Sequence, residues 1–425
     1  MMGAKGSMKR LLAFFLLTYS LWGVDATLKI EKDVDQRSKV AVVDGSGIDT
    51  SLGRKAFDIF VADFRITGHF LPEGEYRQGS YGGTGFDPAF RARDYVLKYR
   101  MAESPKGVEL RVKLLKGGDS SLAFEKSYTI ASATRYPFLI HRAVTDINAR
   151  LGFTSVEWIN RYVLFARYTG KKESEVVLAD YTFHYVKPII RGGLNLFPVW
   201  GDPRQRSIYY TGYSGNLPTL YRLDLYTGKR TRILDSQGML VCSDVSKDGG
   251  RLLLTMAPDG QPDIYELNVA DGRTRRLTTF SGIDVGGKYA DNEQDLVFVS
   301  NRLGYANIFK KPLAGGPAVQ LVFHGRNNDS VDVHNEKVVY SSRETDNSFG
   351  NGKAFNLYLT TTDGDYVRPL TSGGINQFPR FSNDGNTVLY IKRSYEGNSI
   401  GYIGLSTNQS MLFPLGSQRI QSIDW

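Results

Sequence analysis

The first third of the chain alternates between two spacings of apolar residues. Leu52, Ala56 and Phe60 recur at helical spacing, so SLGRKAFDIFVADFRITG predicts an amphipathic helix packed on the short apolar strand KVAVVD that precedes it. DYVLKYRM, GVELRVKLL and LAFEKSYTI alternate apolar and polar residues, which predicts half-buried antiparallel strands. A second helix, PFLIHRAVTDINARLG, ends with Gly152 as its C-terminal cap. These elements predict a small α+β domain over residues 27–152.

The rest of the chain repeats a strand and hairpin pattern six times. Each copy begins with an aromatic or β-branched residue and continues with alternating residues, and four copies have a glycine in the two-residue turn, as in a tight β-hairpin. The copies start at Val177, Tyr221, Tyr265, Phe309, Tyr358 and Tyr402, with separations of 44, 44, 44, 49 and 44 residues. A period of about 40 to 45 residues with several strands per unit is typical of a β-propeller with one blade per repeat. We therefore predict a six-bladed β-propeller over residues 153–425.

The two ends of this repeating region predict how the ring closes. The first copy lacks the innermost strand that precedes the others, such as LFPVW at residues 196–200 and QFPRF at 377–381. IQSIDW, residues 420–425, resembles that missing strand, with Trp425 in the place of Trp200. We expect the end of the chain to complete the first blade, which would remove exposed strand edges.

The first 26 residues have the order of a secretory signal peptide. A short basic stretch at residues 8–10 precedes the apolar run LLAFFLLTYSLW at 11–22, and VDA at 24–26 supplies the small residues that a signal peptidase reads. Because a dozen apolar residues are too few to span a bilayer, the run predicts export. No later segment reaches 18 apolar residues, so we expect a mature protein outside the cytoplasm, with no transmembrane segment.

The charge and the cysteine content of the chain restrict the kinds of partner and of site chemistry that the sequence can support. Fifty-three basic and 44 acidic residues give a formal charge of +9. No run of five or six basic residues appears, so the sequence favours a solvated basic surface over nucleic-acid binding. Cys242 is the single cysteine, which excludes an internal disulfide and any cysteine-based metal cluster. Its apolar neighbourhood, MLVCSDV, favours inert packing over a reactive thiol.

The sequence contains no motif of catalysis, cofactor binding or metal binding. GYSG at residues 212–215 lacks the spacing of a G-x-S-x-G nucleophile elbow, and GGTG at 82–85 lacks the Lys-Ser/Thr ending of a phosphate loop. The five histidines show no H-x-x-H spacing, and we interpret His141 as a half-buried packing residue. The recurring Asp-Gly pairs fall at hairpin positions, which favours turns over calcium loops. We therefore predict no catalytic residue, no cofactor and no metal, and a binding function instead.

The residues just before each innermost strand are the candidate binding surface. Loops from every blade of a propeller meet around its central channel, and these residues would line one rim of it. Their mixture of amide, acid and thioether suits a wet protein interface better than a sugar or cofactor pocket. The candidates are Asn195, Leu196, Met239, Leu240, Ile283, Asp284, Asn328, Asp329, Asn376 and Gln377. The alternative for each residue is that it only begins a strand.

Three segments carry a resemblance to a known family. SNRLGYANIFK, residues 300–310, resembles the recurrent blade signature S-(D/N)-R-x-G-x-x-x-I-(Y/F) of the TolB family, and FSNDG at 381–385 resembles its F-S-P-D-G turn. TLKIEKDVDQRSKVAVVD, which starts at Thr27, resembles the N-terminus of the family. Other blades depart from the turn pattern, with VSKDG at Val245 and YADNE at Tyr289. The resemblance covers nearly the whole mature chain.

The resemblance implies a periplasmic scaffold without catalysis. Proteins of the TolB family belong to the Tol-Pal system of Gram-negative bacteria and use one propeller face to bind Pal, a peptidoglycan-associated lipoprotein of the outer membrane. Their mature N-terminal segment engages TolA, and together these contacts couple the two membranes during division and keep the outer membrane intact. In this chain the segment comprises Thr27, Leu28, Lys29, Ile30, Glu31, Lys32 and Asp33. It alternates apolar and charged residues, which suits addition to the sheet edge of a partner, and we hypothesise that it is mobile or docked depending on Pal.

Two other classes of protein remain as alternatives. A secreted propeller enzyme acting on a polysaccharide, such as a lyase or hydrolase, predicts a cluster of acids and histidine in the central channel. A fragment of a propeller peptidase predicts a separate hydrolase domain encoded in the same gene.

Overall fold

The computed structural model describes residues 37–47, 50–343, 354–394 and 397–425. The predicted signal peptide at residues 1–26 and the predicted TolA-binding segment at 27–33 lie outside the described residues.

The N-terminal region is a mixed sheet with two helices. The strand order is β2-β1-β4-β5-β6, with β3 also paired to β1. β1 runs parallel to β2, β3 and β4, whereas β4, β5 and β6 form an antiparallel meander. The elements are β1 (Ser38–Asp44), α1 (Ser51–Ile66), β2 (Phe70–Pro72), β3 (Arg77–Gln78), β4 (Tyr95–Ser104), β5 (Gly107–Lys116), β6 (Leu122–Ile130) and α2 (Pro137–Arg150), with short 3₁₀ turns at Pro88–Ala92, Ala133–Arg135 and Glu157–Asn160.

Local sequence explains where both helices begin and end. Thr50 caps α1 by accepting a hydrogen bond from the backbone N–H of Gly53 at 2.9 Å, and α1 packs its buried aromatic residues against the sheet. α2 has Pro137 at its first position, where a missing N–H costs nothing, and Gly152 lies two residues past its end with a φ of 78°. The two helices predicted from apolar spacing are therefore present.

From Val163 onward the described chain forms antiparallel units of four strands in sequence order. The units are β10 to β13, β14 to β17, β18 to β21, β22 to β25, β26 to β29, and β30 with β7, β8 and β9; a single bridge between Phe355 and Ile375 joins the fourth and fifth of these. The strands are β7 (Val163–Gly170), β8 (Glu173–Ala179), β9 (Val186–Ile190), β10 (Leu196–Trp200), β11 (Ser207–Ser214), β12 (Leu217–Asp224), β13 (Arg230–Asp235), β14 (Leu240–Val245), β15 (Arg251–Met256), β16 (Asp263–Asn268), β17 (Thr274–Arg276), β18 (Asp284–Ala290), β19 (Asp295–Ser300), β20 (Asn307–Pro312), β21 (Val319–Gln320), β22 (Arg326–His334), β23 (Lys337–Arg343), β24 (Phe355–Thr361), β25 (Arg368–Pro369), β26 (Ile375–Phe381), β27 (Thr387–Ser394), β28 (Gly397–Gly404), β29 (Ser410–Pro414) and β30 (Arg419–Asp424).

Residues 419–424 complete the unit that β7, β8 and β9 begin. β30 pairs antiparallel with β7, so that Ser422 lies opposite Ala166 and Ile423 opposite Phe165. The first strands of the six units contact one another in sequence, and β30 also contacts β10, which closes the circle. Trp425 follows β30 and is buried against Trp158, with ring centroids 4.9 Å apart. The strand β30 spans Arg419–Asp424 and so overlaps residues 420–425, which the sequence analysis expects to complete the first blade.

The hydrophobic core runs without a break from the N-terminal region into the propeller. One cluster of buried residues includes Phe60 of α1, Ile140 of α2, Trp158, Tyr181 after β8 and Tyr402 of β28. Trp158 stacks on Tyr402 and meets Tyr181 edge to face, so it fills the space between the two regions. The predicted domain boundary at residues 152–153 is therefore not a gap in the packing.

Candidate functional site

All the predicted binding residues lie at one face of the propeller. We call it the rim face: the face at which the first strand of each unit, β10, β14, β18, β22, β26 and β30, begins. The turns between the second and third strands of each unit reach the same face, because antiparallel strands alternate in direction. For example, Asp284 at the start of β18 lies opposite Ser300 at the end of β19.

Six of the predicted binding residues are buried at this face. They are Asn195, Leu196, Leu240, Asp284, Asn328 and Asn376. Asn195 donates its side-chain N–H groups to the carbonyls of Ser174 and Gly192 at 3.2 and 2.9 Å, and Asn376 does the same toward Phe355 and Gly373. These amides tie the start of a first strand to the preceding unit. Their side chains hold the loops of the rim face in place.

Asp284 is buried in an ion pair. The guanidinium of Arg302 contacts both of its carboxylate oxygens at 3.0 and 3.1 Å. The same guanidinium lies over the rings of Phe280, Phe298 and Phe309, at 5.1, 5.2 and 4.8 Å from their centroids. The Asn-Arg pair in the sequence signature SNRLGYANIFK therefore supplies the cation that pairs with Asp284.

Asp329 and Gln377 form a link between two neighbouring units. The amide of Gln377 donates to Asp329 at 2.6 Å, and Arg393 donates to the Gln377 oxygen at 3.0 Å. Ser341 also donates to Asp329. Both side chains remain partly exposed, so a partner that reaches the centre of the rim face meets a fixed polar network.

Large apolar side chains are exposed around the same face. Met239 is 50% exposed and Phe323 is 79% exposed, and Ile283 is also open to solvent. Tyr213 and Leu303 are exposed at or beside the turns that follow β11 and β19. Because these residues belong to successive units, the rim face has an arc of apolar side chains around its polar centre. Exposed apolar side chains set among polar ones are typical of protein contact surfaces.

A ring of charges lines the channel farther along the first strands, away from the rim face. The first strand of each unit contributes one residue, which lies opposite an equivalent position of the second strand and follows a β-bulge. The six positions are Val199, Asp244, Lys288, Asp332, Arg380 and Asp424. Acid and base alternate along five of them, and Val199 takes the place of a third base. We call these residues the channel ring.

Ion pairs connect the charged members of the channel ring. Lys288 lies 2.7 Å from Asp332 and 4.0 Å from Asp244, and Arg380 lies 3.8 Å from Asp332 and 3.4 Å from Asp424. Each acid also accepts a backbone N–H from the next unit at 2.8 Å. These donors are Tyr289 for Asp244, Phe381 for Asp332 and Trp200 for Asp424. Three carboxylates therefore bond adjacent units together around the channel.

The acids of the channel ring that are next to the uncharged Val199 differ in pKa from the acid that lies between two cations. Burial tends to raise the pKa of Asp332, but Lys288 and Arg380 on either side bring it below its usual range. Burial raises the pKa of Asp244 to about 6 against the opposing charge of Lys288, and it raises the pKa of Asp424 against Arg380. The acids that border Val199 are thus the ones that protonate more readily.

A small pocket of about 190 Å³ opens from the channel ring, and His334 joins Asp244, Asp332 and Asp424 in its lining. This grouping of acids and histidine is the arrangement that the polysaccharide-enzyme alternative predicts. Each acid, however, is held by a cation and a backbone N–H, which is the role of a structural charge. Among the described residues, no group of three His, Cys, Asp or Glu is placed to hold a metal ion.

The prediction that His141 is a half-buried packing residue is wrong. His141 is fully buried, its Nδ1 lies 2.9 and 3.0 Å from the two oxygens of Asp63, and its Nε2 lies 3.3 Å from Asp180. Tyr181 donates to Asp63 at 2.6 Å. Burial alone would lower the pKa of His141, but the two carboxylates raise it to about 9. The interdomain cluster, Asp63, His141, Asp180 and Tyr181, therefore holds an imidazolium between the helices and the propeller.

Cys242 is buried beside the channel ring. Burial raises the pKa of its thiol well above the ordinary value, and Asp244 adds to the effect. A thiol that stays protonated is a poor nucleophile. The prediction of inert packing agrees with this environment.

Sequence reasoning located the rim face but missed both buried charge networks. The channel ring has a sequence signal: its six members lie 45, 44, 44, 48 and 44 residues apart, which repeats the blade period. The interdomain cluster has none, because His141 lies 78 residues from Asp63 and 39 residues from Asp180.

Comparison with known proteins identifies the family. The family model described as the TolB beta propeller domain matches residues 159–425. A relative from Wolinella succinogenes, named Tol-Pal system protein TolB, is 42% identical over 98% of this chain and its own full length. The chain belongs to the TolB family. Relatives of the same name from Campylobacter jejuni strain RM1221 and Helicobacter pylori strain HPAG1 are 40% and 36% identical, each over 98% of this chain and the whole of its own length.

A solved structure supports the fold assignment. The crystal structure of TolB from Acinetobacter baumannii aligns with a TM-score of 0.73 at 20% identity, covering 92% of this chain and 97% of that chain. The TolB resemblance noted in the sequence is therefore confirmed, together with a propeller fold of the TolB type. Membership of this family also makes the chain a non-catalytic protein, as predicted. In the part of the chain that the structure describes, no helix has the length and apolar character to cross a membrane.

Proposed function

We propose that this TolB-family protein is a non-catalytic periplasmic scaffold of the Tol-Pal system. In this proposal residues 1–26 direct export, an α+β domain precedes a six-bladed propeller, Pal binds the rim face and TolA binds residues 27–33. The contact with Pal associates the protein with the outer membrane, and the two contacts together support membrane integrity and invagination during division. The observation that carries the proposal is the alignment with Tol-Pal system proteins named TolB over nearly the full chain.

The exposed apolar arc is the part of the rim face that we assign to Pal. Met239, Ile283 and Phe323 present apolar surface to solvent, and such side chains supply most of the binding free energy when a partner covers them. Asp329 and Gln377 offer fixed polar groups toward the centre. We therefore expect the energetic centre of the interface on the loops before β14, β18 and β22.

The buried rim residues act indirectly in this proposal. Asn195, Asp284, Asn328 and Asn376 hydrogen-bond within the propeller, so their substitution would displace loops as well as alter contacts. Leu240 is buried next to the exposed Met239. Their assignment to Pal binding stays a prediction, and exposed neighbours provide the cleaner test.

The Pal contact is tested by calorimetric titration of purified Pal into the full chain. Met239→Ser combined with Ile283→Ser should weaken binding at least tenfold, because each anchor typically costs more than about 1 kcal/mol and a tenfold change needs only about 1.4 kcal/mol. Tyr226→Ser is the matched control, since Tyr226 is 80% exposed in the turn between β12 and β13 at the opposite face. Equal affinity of the double variant and the control would contradict this placement of Pal.

The TolA contact is tested separately. Deletion of residues 27–33 should abolish binding of purified TolA while the thermal unfolding midpoint stays unchanged, because the segment precedes β1. Retained TolA binding would contradict the assignment of the segment. Retention of glycan fragments by the full chain, with no binding of Pal, would instead favour the polysaccharide-enzyme alternative.

A further inference from the structure

A groove of about 600 Å³ lies at the edge of the N-terminal sheet, between β6 and α2. Its size falls within the range of roughly 300 to 1,000 Å³ that is usual for binding pockets. Tyr162, just before β7, lines its far side. β7 begins at the face opposite the rim face, since Leu164 lies opposite Asp424 at the end of β30. The groove is therefore separate from the surface that we assign to Pal.

One side of the groove is an unpaired strand edge. β6 is nine residues long and pairs with β5 through the register from Val108 opposite Ile130 to Leu115 opposite Leu122. It is the last strand of the sheet, and no other described strand pairs with it. An edge strand presents backbone N–H and C=O groups that an extended chain can pair with. The arrangement of an edge strand beside a helix thus provides both a hydrogen-bonding side and a side-chain floor.

The floor of the groove has two guanidinium groups that form no ion pair with any acid among the described residues. Arg135 lies over the rings of Phe138 and Tyr162 at 5.6 and 5.7 Å, and its buried Nε has no hydrogen-bond acceptor among the described residues. Arg142, one helical turn beyond Phe138, is exposed and forms no ion pair within the described ranges. Stacking on two rings holds the Arg135 guanidinium in a fixed orientation, which favours recognition of a carboxylate.

Of the other charged residues that line the groove, Lys126 and Asp146 form an ion pair, whereas Glu157 is bound by a neutral amide. Lys126 lies 2.7 Å from Asp146, which also accepts a hydrogen bond from Tyr128 at 2.6 Å. Glu157 accepts a hydrogen bond from Asn160 at 3.1 Å. Three of the lining residues are cations and two are acids, so the net charge of the groove is +1. The cations that form no ion pair among the described residues are Arg135 and Arg142. The group missing from the groove is an anion.

We propose that this groove binds an extended acidic peptide segment of a partner protein, which pairs with the β6 edge and places carboxylates on Arg135 and Arg142. A peptide fits better than a small anion, because only an extended chain uses the strand edge and the guanidinium groups together. The inference goes beyond the proposed function, since it adds a third protein contact away from the rim face and from residues 27–33. A partner at the groove and a partner at the rim face do not compete for the same surface.

The test is a selection of random ten-residue peptides displayed on phage, with the full chain as bait. Peptides that also bind the variant carrying Arg135→Gln and Arg142→Gln are removed by counter-selection. We expect the retained peptides to be enriched in Asp and Glu and to slow amide hydrogen exchange in residues 122–130. Arg150→Gln, in the last turn of α2 and outside the groove, is the control and should bind as the unaltered chain does.

Three outcomes would overturn the proposal. The first is a set of retained peptides without acidic enrichment, and the second is unchanged exchange in β6 when they bind. The third is that peptides bind only after residues 27–36 are deleted, which would assign the groove to a segment of this chain. Pal binding by the double variant, measured in the same preparation, reports independently on the rim face and on folding.

Discussion

The molecule contains two buried charge networks that balance their charges in different ways. In the interdomain cluster, His141 is held between Asp63 and Asp180, and all three side chains are fully closed to solvent. In the channel ring, charges alternate around an opening and one position holds Val199 instead of a base. The first network depends on one cation, whereas the second distributes its charges over several.

The two networks stabilise the molecule in different ways. A closed cluster with a single cation leaves buried charge uncompensated when that cation is removed, so it links the helices to the propeller strongly. The ring connects neighbouring units through several ion pairs and three backbone hydrogen bonds, and the channel gives its members access to water. When one member of the ring is removed, the remaining ion pairs and hydrogen bonds therefore still connect the neighbouring units. Four substitutions separate these roles.

The largest effect is expected from His141→Leu. Removal of the imidazolium leaves Asp63 and Asp180 buried together, which should lower the free energy of unfolding by about 3 to 5 kcal/mol in urea denaturation. Adding Asp63→Asn should restore part of that loss, because it removes the uncompensated charge. A cost below about 1 kcal/mol for the single variant would contradict the charged state of His141.

The pH dependence of the same cluster gives a second measurement. The pKa of His141 is raised to about 9 in the folded protein, so its contribution to stability is complete below its ordinary value of 6.5 and is lost as the pH rises through about 9. The unaltered chain should therefore lose stability over this range more steeply than the His141→Leu variant.

A smaller effect is expected from Lys288→Met. Lys288 is almost buried and lies 2.7 Å from Asp332, so its removal should lower the free energy of unfolding by about 2 kcal/mol, as for a hydrogen bond to a charged group. Lys229→Met, at an exposed position in the turn after β12, is the control and should change stability by less than about 0.5 kcal/mol. Equal effects of the two substitutions would show that the ring does not connect the units.

A cation at position 199 should change the pH dependence of the free energy of unfolding more than its value at any one pH. The pKa of Asp244 is raised to about 6 from an ordinary value of 3.8, so its contribution to stability is complete below 3.8 and is lost as the pH rises through about 6. Val199→Lys places a cation beside Asp244 and Asp424, which should lower both pKa values and reduce that loss. Urea denaturation between pH 4 and 7, with Val199→Met as the control, measures the difference. An identical pH profile for both variants would place the new charge outside the ring.

The smallest effect is expected at an exposed pair. Arg232 lies 2.7 Å from Asp235 on β13, but its side chain is 55% exposed. Arg232→Gln should therefore change the free energy of unfolding by no more than about 0.5 kcal/mol. A loss comparable with that of Lys288→Met would mean that distance, and not burial, sets the strength of these pairs.

The sequence predicted what depends on local pattern. Patterns of this kind can be read within one segment or by comparing similar segments. They include the helical spacing of Leu52, Ala56 and Phe60, the hairpin turns of the repeats, and the likeness of residues 420–425 to 196–200. Rim positions could be placed because each lies next to a recognisable strand. Whether Asn195 or Met239 faces solvent could not, because that depends on hydrogen bonds to the preceding unit and on a β-bulge in each first strand.

The buried charge networks were missed for different physical reasons. The channel ring mixes valine, acids and bases at one repeated position, so a search for similar residues overlooks what a search by spacing would find. His141 meets Asp63 and Asp180 only through tertiary packing, and the spacing of α2 alone does not distinguish a buried cation from a packing residue. Charges that pair across distant segments need three-dimensional information.

The pairing of β30 with β7 also constrains when the protein can become complete. The unit that β7 begins waits for residues 419–424, so the inner edge of β7 stays unpaired until those residues have been synthesised. A chain that stops before Arg419 would contain the strands of the other five units but would leave its ring open. Closure therefore makes the earliest propeller strands depend on strands that are synthesised about 250 residues later.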